Sequence, residues 1–241
     1  GLRVATEGVA MVHNLILGAF TMVGSGVDNW VDGREQRRYT PYHIRHRTEV
    51  AGMMTILHGD NRFYNNIFVQ GHPITNEEPK ESPFYQQVGT HVWDEYPTYK
   101  EWIAKFDMEE EKPDMGKLEP AHFSHLPVWA DGNVYLAGAK AWKKEKHNLV
   151  KDDADVQIEL LEEDGQYRLS TNLYDYLDGF ATGIINSDVL GRAFEPEQRF
   201  EERDGSDIVF QSDYLGNHRG VSTIPGPFAD VKELDEVIWI D

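Results

Sequence analysis

Two short stretches of this chain say nearly the same thing. MVHNLILG, Met11 to Gly18, and RFYNNIFVQ, Arg62 to Gln70, align on Asn14 and Asn66: an apolar or aromatic start, a polar pair ending in Asn, three apolar residues, then a polar or small one. A strand that recurs with an Asn at its front suggests a stacked, repeating β architecture in which each repeat buries its face against the next. In such a stack an inward Asn at a turn can hydrogen-bond the backbone of neighbouring repeats. Asn14, Asn65 and Asn66 are therefore read as structural.

The surrounding residues fit short strands. VAMVHNLILG, FTMVGSG, EVAGMMTILHGDN and RFYNNIFVQG are apolar runs bounded by Gly, Asn or Asp. Between them DNWVDGREQRRYTPYHIRHR, Asp28 to Arg47, reads as a long polar loop. Residues 79–127 differ in composition and carry one predicted helix. Thr98-x-x-Glu101 is a capping-box pattern, and Tyr99, Trp102, Ile103 and Phe106 follow at helical spacing. From 128 onward VWADGNVYLAGAKAW resembles another repeat. VQIELLEEDGQYRLSTNL then alternates about Asp164–Gly165 as a hairpin, a second Asp-Gly turn follows at Asp204–Gly205, and VIWID reads as a last strand. The expected organisation is residues 1–150 as stacked repeats, with an insertion at about 79–127, and 151–241 as an antiparallel β-rich region.

Composition excludes several functions. The chain has 241 residues, 40% of them hydrophobic, enough for a sizeable core. No apolar run reaches the length of about 18 residues needed to span a bilayer, so no membrane role is expected. A net charge of −19 argues against nucleic-acid partners. The absence of cysteine excludes disulfides and thiolate catalysis. Aromatics make up 12%, with six Trp and eleven Tyr; they either pack a core or form the flat faces on which sugar rings stack.

The densest chemistry is TPYHIRHRTEVAG, which places Tyr42, His43, His46, Arg47 and Glu49 close together. Pro41 and the β-like run after it argue against a helix that would align the two histidines, and a zinc site lacks a third ligand at sensible spacing. No metal or other cofactor is expected. A loop lining a polar cleft is the functional reading, and mutual charge pairing the structural one. In HGDNRF, Asp60 is read as a turn former, with half of a carboxylate pair and a calcium ligand as alternatives. EDGQ and MEEEKPD read as solvated faces. Glycoside hydrolysis needs two carboxylates about 5 to 9.5 Å apart. Glu7, Asp28, Glu49 and Asp60 are the candidates, and no spacing pairs any two of them.

TPYHIRHRTEVAG followed by HGDNRFYNNIFVQ resembles a family of glycoside hydrolases built on a right-handed parallel β-helix, whose known members are β-xylosidases. The resemblance continues through NVYLAGAKAW, KEKHNLVKDDAD, the Asp164–Gly165 hairpin and IVFQSDYLG, and is weaker over Asp28 to Arg38 and Ile74 to Pro127. It implies an all-β fold: terminal coils of the β-helix, a short helical excursion and an antiparallel β-rich C-terminal region. It also implies a retaining mechanism, with an Asp nucleophile and a Glu acid/base in coils before the matched region, so no catalytic residue is expected in this chain. Tyr42, His43, His46 and Glu49 are then expected to line the substrate cleft. The implied partners are an oligosaccharide and the N-terminal β-helix segment of the same enzyme as a separate chain, because an open solenoid end exposes apolar surface and strand edges. A homo-oligomer is left open. A soluble protein is expected, with the cytoplasm favoured. Two other readings stand beside this one: a non-catalytic carbohydrate-binding or structural solenoid module, and a complete enzyme using Glu49 with Asp28 or Asp60.

Overall fold

The structure is a computed structural model that describes residues 1–22, 30–71, 87–106, 114–163, 166–229 and 235–238. Asp28 and the Asp164–Gly165 turn lie outside the described residues. The first pass of the chain contributes β1 (Leu2–Val4), β2 (Ala10–Val12) and β3 (Leu15–Ile16), and β4 (Phe20–Met22) returns parallel to β1. Two antiparallel hairpins follow, β5 (Trp30–Val31) with β6 (Arg34–Glu35), and β7 (Tyr39–His43) with β8 (Val50–Thr55). The next pass supplies β9 (Asn61–Tyr64) and β10 (Ile67–Val69).

The repeat seen in the sequence is a register in space. β2 lies parallel to β9 with Met11 opposite Phe63, and β3 lies parallel to β10 with Leu15 opposite Ile67. A third pass adds β11 (Val128–Asp131) on β9 and β12 (Asn133–Leu136) on β10, and β13 (Asn148–Lys151) extends the second stack. Each pass turns its corner in one way: a residue in the left-handed region, then Asn. His13 (φ 58°), Asn65 (φ 56°) and Gly132 (φ 71°) occupy the first position, with Asn14, Asn66 and Asn133 next. Gly132 is required twice over, because a Cβ there would meet Asn65 Oδ1 at 2.3 Å.

The asparagines form a ladder through the corner. Asn14 Nδ2 donates to Asn66 Oδ1 at 2.9 Å, and Asn66 Nδ2 donates to Asn133 Oδ1 at 2.9 Å. The same amides also donate down to backbone carbonyls, Asn66 to Met11 O and Asn133 to Phe63 O. Glu145 closes the end, accepting from Asn133 Nδ2 at 2.8 Å and from the Tyr135 hydroxyl at 2.6 Å. The structural reading of Asn14 and Asn66 is thus observed directly, and Asn133 joins them.

β10 and β12 are buried on both faces, which is why IFV and VYL read as continuous apolar runs rather than alternating ones. Phe68 and Tyr135 point to one side and stack at 5.1 Å with planes 5° apart. Trp93, from a 3-10 turn at His91–Trp93, packs with Phe20 and Phe63 against the same interior. Ile67, Val69, Val134 and Leu136 face the other way and are covered by Leu173 and Leu177.

The insertion carries α1 (Tyr99–Ile103), whose capping box is present in full: Thr98 Oγ1 accepts from Glu101 N, and Glu101 Oε2 accepts from Thr98 N at 2.7 Å. It buries Trp102 against Leu57 and Leu126. A second helix, α2 (Met115–His122), was not expected, because Pro120 sits in its interior. Asp114 caps it by accepting from Gly116 N at 2.9 Å. Among the described residues no helix is long and apolar enough to cross a membrane.

The C-terminal part is antiparallel, as its turns suggest. β14 (Ile158–Glu163) pairs with β15 (Gln166–Thr171), with Glu163 opposite Gln166. β16 (Thr182–Gly183) leads to α3 (Ser187–Leu190), and β17 (Ser222–Thr223) returns to β16. β18 (Asp235–Ile238) pairs with β15. Over residues 30–47 the expected long polar loop instead holds the β5–β6 hairpin and β7, the first strand of the second hairpin. Tyr39 to His43 alternate exposed and half-buried, and Pro41 is tolerated because a two-stranded ribbon has free edges.

Candidate functional site

The site begins at a strained corner. His58, Gly59 and Asp60 adopt positive φ in succession, 55°, 101° and 54°, immediately before β9. A non-glycine residue in this region costs free energy that its surroundings must offset. The offset is visible: Asp60 N donates to Pro127 O at 2.7 Å and the His58 carbonyl accepts from Leu126 N at 2.8 Å. The result aims the Asp60 carboxylate at Arg62, Oδ1 lying 2.8 Å from Nη1, with both side chains almost wholly buried. Asp60 Oδ2 accepts from Phe194 N at 2.9 Å. Asp60 thus sits at a strained corner, but its carboxylate bonds Arg62 and Phe194 N instead of closing a turn on its own backbone, and belongs to a wider polar group. Both oxygens of the Asp60 carboxylate are therefore engaged by protein donors.

Arg62 is held from every side. Its Nε donates to Leu190 O at 2.5 Å, Nη1 to Asp60 O and Nη2 to Arg192 O, each at 2.7 Å. The Trp129 ring covers one region of the guanidinium at 4.4 Å and Phe200 another at 4.6 Å. Next to this pair lies a pocket of about 250 Å³ walled by Tyr99, Trp102, Trp129 and Phe194. Tyr99 and Trp129 lie near-parallel, centroids 6.4 Å apart and 25° between planes, and Tyr99 is half exposed. Flat aromatic faces beside buried polar groups suit a sugar ring. Most of the described aromatics thus pack the core, and these few wall a pocket.

Two more carboxylates approach from other segments. Glu7, between β1 and β2, accepts from Leu57 N and from His58 N. Burial pushes its pKa up to about 7 against those two N–H groups, with Glu195 and Asp60 adding like charge. Glu195 accepts from Thr55 N at 2.8 Å. Burial likewise raises Asp60, opposed by Arg62. A carboxyl near neutrality can give or take a proton at pH 7. Asp60, with both oxygens engaged, holds the site together and is poorly placed to attack. Among the described residues no group of three or more His, Asp or Glu could hold a metal ion.

Of the carboxylates singled out in the sequence, the structure brings Glu7 and Asp60 together and adds Glu195, which nothing in the sequence marked. Glu49 is exposed and paired to Arg47 through Nε at 3.1 Å. Tyr42, His43, His46 and Glu49 all sit on the β7–β8 hairpin, and none of them lines the aromatic pocket. Tyr42 lies over Gly52, His43 Nδ1 contacts Thr48 O at 2.9 Å, and His46 Nε2 contacts Glu201 at 2.8 Å. The segment that carries Phe194 into the pocket continues to this hairpin, where Gln198 donates to His43 O.

No protein-family model matches the chain, and no curated protein does. One solved structure that does match is XylC in complex with xylose. It superposes with a TM-score of 0.75 at 29% identity, covering 98% of this chain and 33% of XylC. The chain thus spans about a third of the protein it resembles, and its mostly-β fold is shared with one that binds xylose.

Proposed function

We propose that this chain is the C-terminal portion of a retaining glycoside hydrolase of the β-xylosidase type, releasing xylose from xylo-oligosaccharides. The single observation that carries this reading is the likeness to xylose-bound XylC over 98% of the chain. In this proposal the in-register passes are the last coils of a right-handed parallel β-helix. The nucleophilic Asp and the acid/base Glu of that mechanism come from coils of the β-helix outside the residues matched here. This chain contributes scaffold and one wall of the cleft, the Asp60–Arg62 pocket inside and the hairpin with Tyr42, His43, His46 and Glu49 at the rim.

The test is hydrolysis of an aryl β-xyloside. The isolated chain should be inactive, and recombination with the N-terminal segment should restore turnover; full activity from the isolated chain would overturn the proposal. A second reading, a carbohydrate-binding module without catalysis, is favoured by the aromatic pocket and by the engagement of both Asp60 oxygens. Calorimetry separates the two, since a module should bind xylo-oligosaccharides unaided and no recombination should produce turnover.

A further inference from the structure

At the far end of the β2–β9–β11 stack lies a larger cleft, of about 570 Å³. Asp60 precedes β9 and Asn65 follows it, so roughly 13 Å of strand separates the two places. Four segments converge on the cleft: the His13–Asn14 corner, the β14–β15 hairpin, residues 212–219 and residues 227–228. Its volume falls in the range typical of small-ligand sites, as does its make-up, mostly apolar and aromatic with a few converging polar groups.

Those polar groups are built in. Arg219 is 2% exposed and donates to Thr223 Oγ1, Ile224 O and Gly226 O, while its Nε has no partner among the described residues. Asp213 accepts from the N–H groups of Leu215, Asn217 and Ala229 and from Asn217 Nδ2. Burial would raise its pKa, but these donors outweigh it and hold the carboxyl below the usual range. The positive Arg219 and the negative Asp213 offset one another. Burial pushes His13 down to about 3, so its ring is neutral. At the mouth Tyr214, 61% exposed, stands edge-on to the buried Phe228.

We infer that this cleft is a second ligand site, separate from the Asp60 pocket, that takes an uncharged pyranose with one ring face against Tyr214. The offset charges and the neutral imidazole give an ionic ligand no net attraction, and a chain of net charge −19 disfavours an anion further. A hydroxyl-bearing ring supplies both the apolar face for the tyrosine and the oxygens for the polar side. The class of ligand rests on the cleft alone; the choice of xylobiose as probe rests on the proposed function.

The test is a titration of the full chain with xylobiose, cellobiose and sodium glucuronate, followed by backbone-amide NMR. Xylobiose should shift the amides of Asn14, Ser212 and Leu215 with a millimolar dissociation constant. Tyr214→Ala should weaken that binding at least about fivefold, equivalent to about 1 kcal/mol, and Tyr214→Phe should preserve it. Tyr99→Ala should leave these shifts unchanged. Cellobiose binding without xylobiose would sustain the site and count against the xylose reading. Absence of shifts with either sugar, shifts insensitive to Tyr214→Ala, or glucuronate binding as tightly would overturn the inference.

Discussion

Asn133 uses its side chain twice at once, donating to the Phe63 carbonyl and to Glu145. Such a buried network is stabilising only when every member is satisfied. Glu145→Ala should therefore cost about 2–4 kcal/mol in urea unfolding, because it removes the acceptor of Asn133 N and of one Asn133 amide N–H and leaves the Tyr135 hydroxyl with Thr90 alone. Glu145→Gln keeps an acceptor for Asn133 and should cost far less. Burial raises the Glu145 pKa from 4.5 to about 7, against the hydrogen bonds of Tyr135 and Asn133. The fold thus favours its protonated form. That stabilisation is complete below pH 4.5 and is lost as pH rises through about 7. Glu7 behaves in the same sense over the same window. The melting temperature of the Glu145→Gln protein should accordingly fall less than that of the wild type between pH 5 and 8; an identical fall would show that the carboxyl does not titrate in the fold.

Elements here are short and owe their positions to their ends. Strands of two to six residues, like those of this chain, have little intrinsic stability and depend on their neighbours. The corners between them carry the specification. Gly132→Ala should destabilise by about 1–3 kcal/mol from backbone strain, and more if Asn65 Oδ1, 2.3 Å from the new Cβ, cannot move. Because Asn65 also donates to Gly183 O, calorimetric unfolding of this variant should show loosening that reaches β16. The capping box of α1 was legible because it depends on residues three apart. α2 was not, because Pro120 argues against a helix locally while the Asp114 cap and the packing of Ala121 favour one. EVAGMMTILHGDN marked β8 as a strand, but its partner β7 was missed for a related reason. Its polar, Pro-containing sequence looks like a loop until its period-two burial against the 195–201 segment is seen.

At the scale of the whole molecule, a net charge of −19 acts against compaction through self-repulsion. The surface ion pairs, such as Lys143 with Glu95 and Lys140 with Asp152, are exposed and contribute little each. Screening should therefore relieve more repulsion than it removes attraction. Raising sodium chloride from about 20 to about 300 mM, which shortens the Debye length severalfold, is expected to raise the urea midpoint. A fall would mean that the pairs outweigh the net charge. The C-terminal third is not a loose appendage, since Arg62 and Asn65 of the stack bond directly to its backbone at Leu190, Arg192 and Gly183.

The sequence by itself determined the repeat: which residues stack, where the Asn corners fall, the capping box, and the antiparallel turns near the end. All of these depend on neighbours within a few residues or on one motif recurring in register. Only the tertiary structure decided which carboxylates meet. Glu7, Asp60 and Glu195 come from three separate segments, and Asp213 and Arg219 from a fourth region, with no spacing that could announce them. Their proximity exists because long-range packing brings the turns before and after β9 against residues 192–229, and local patterns carry no record of such contacts.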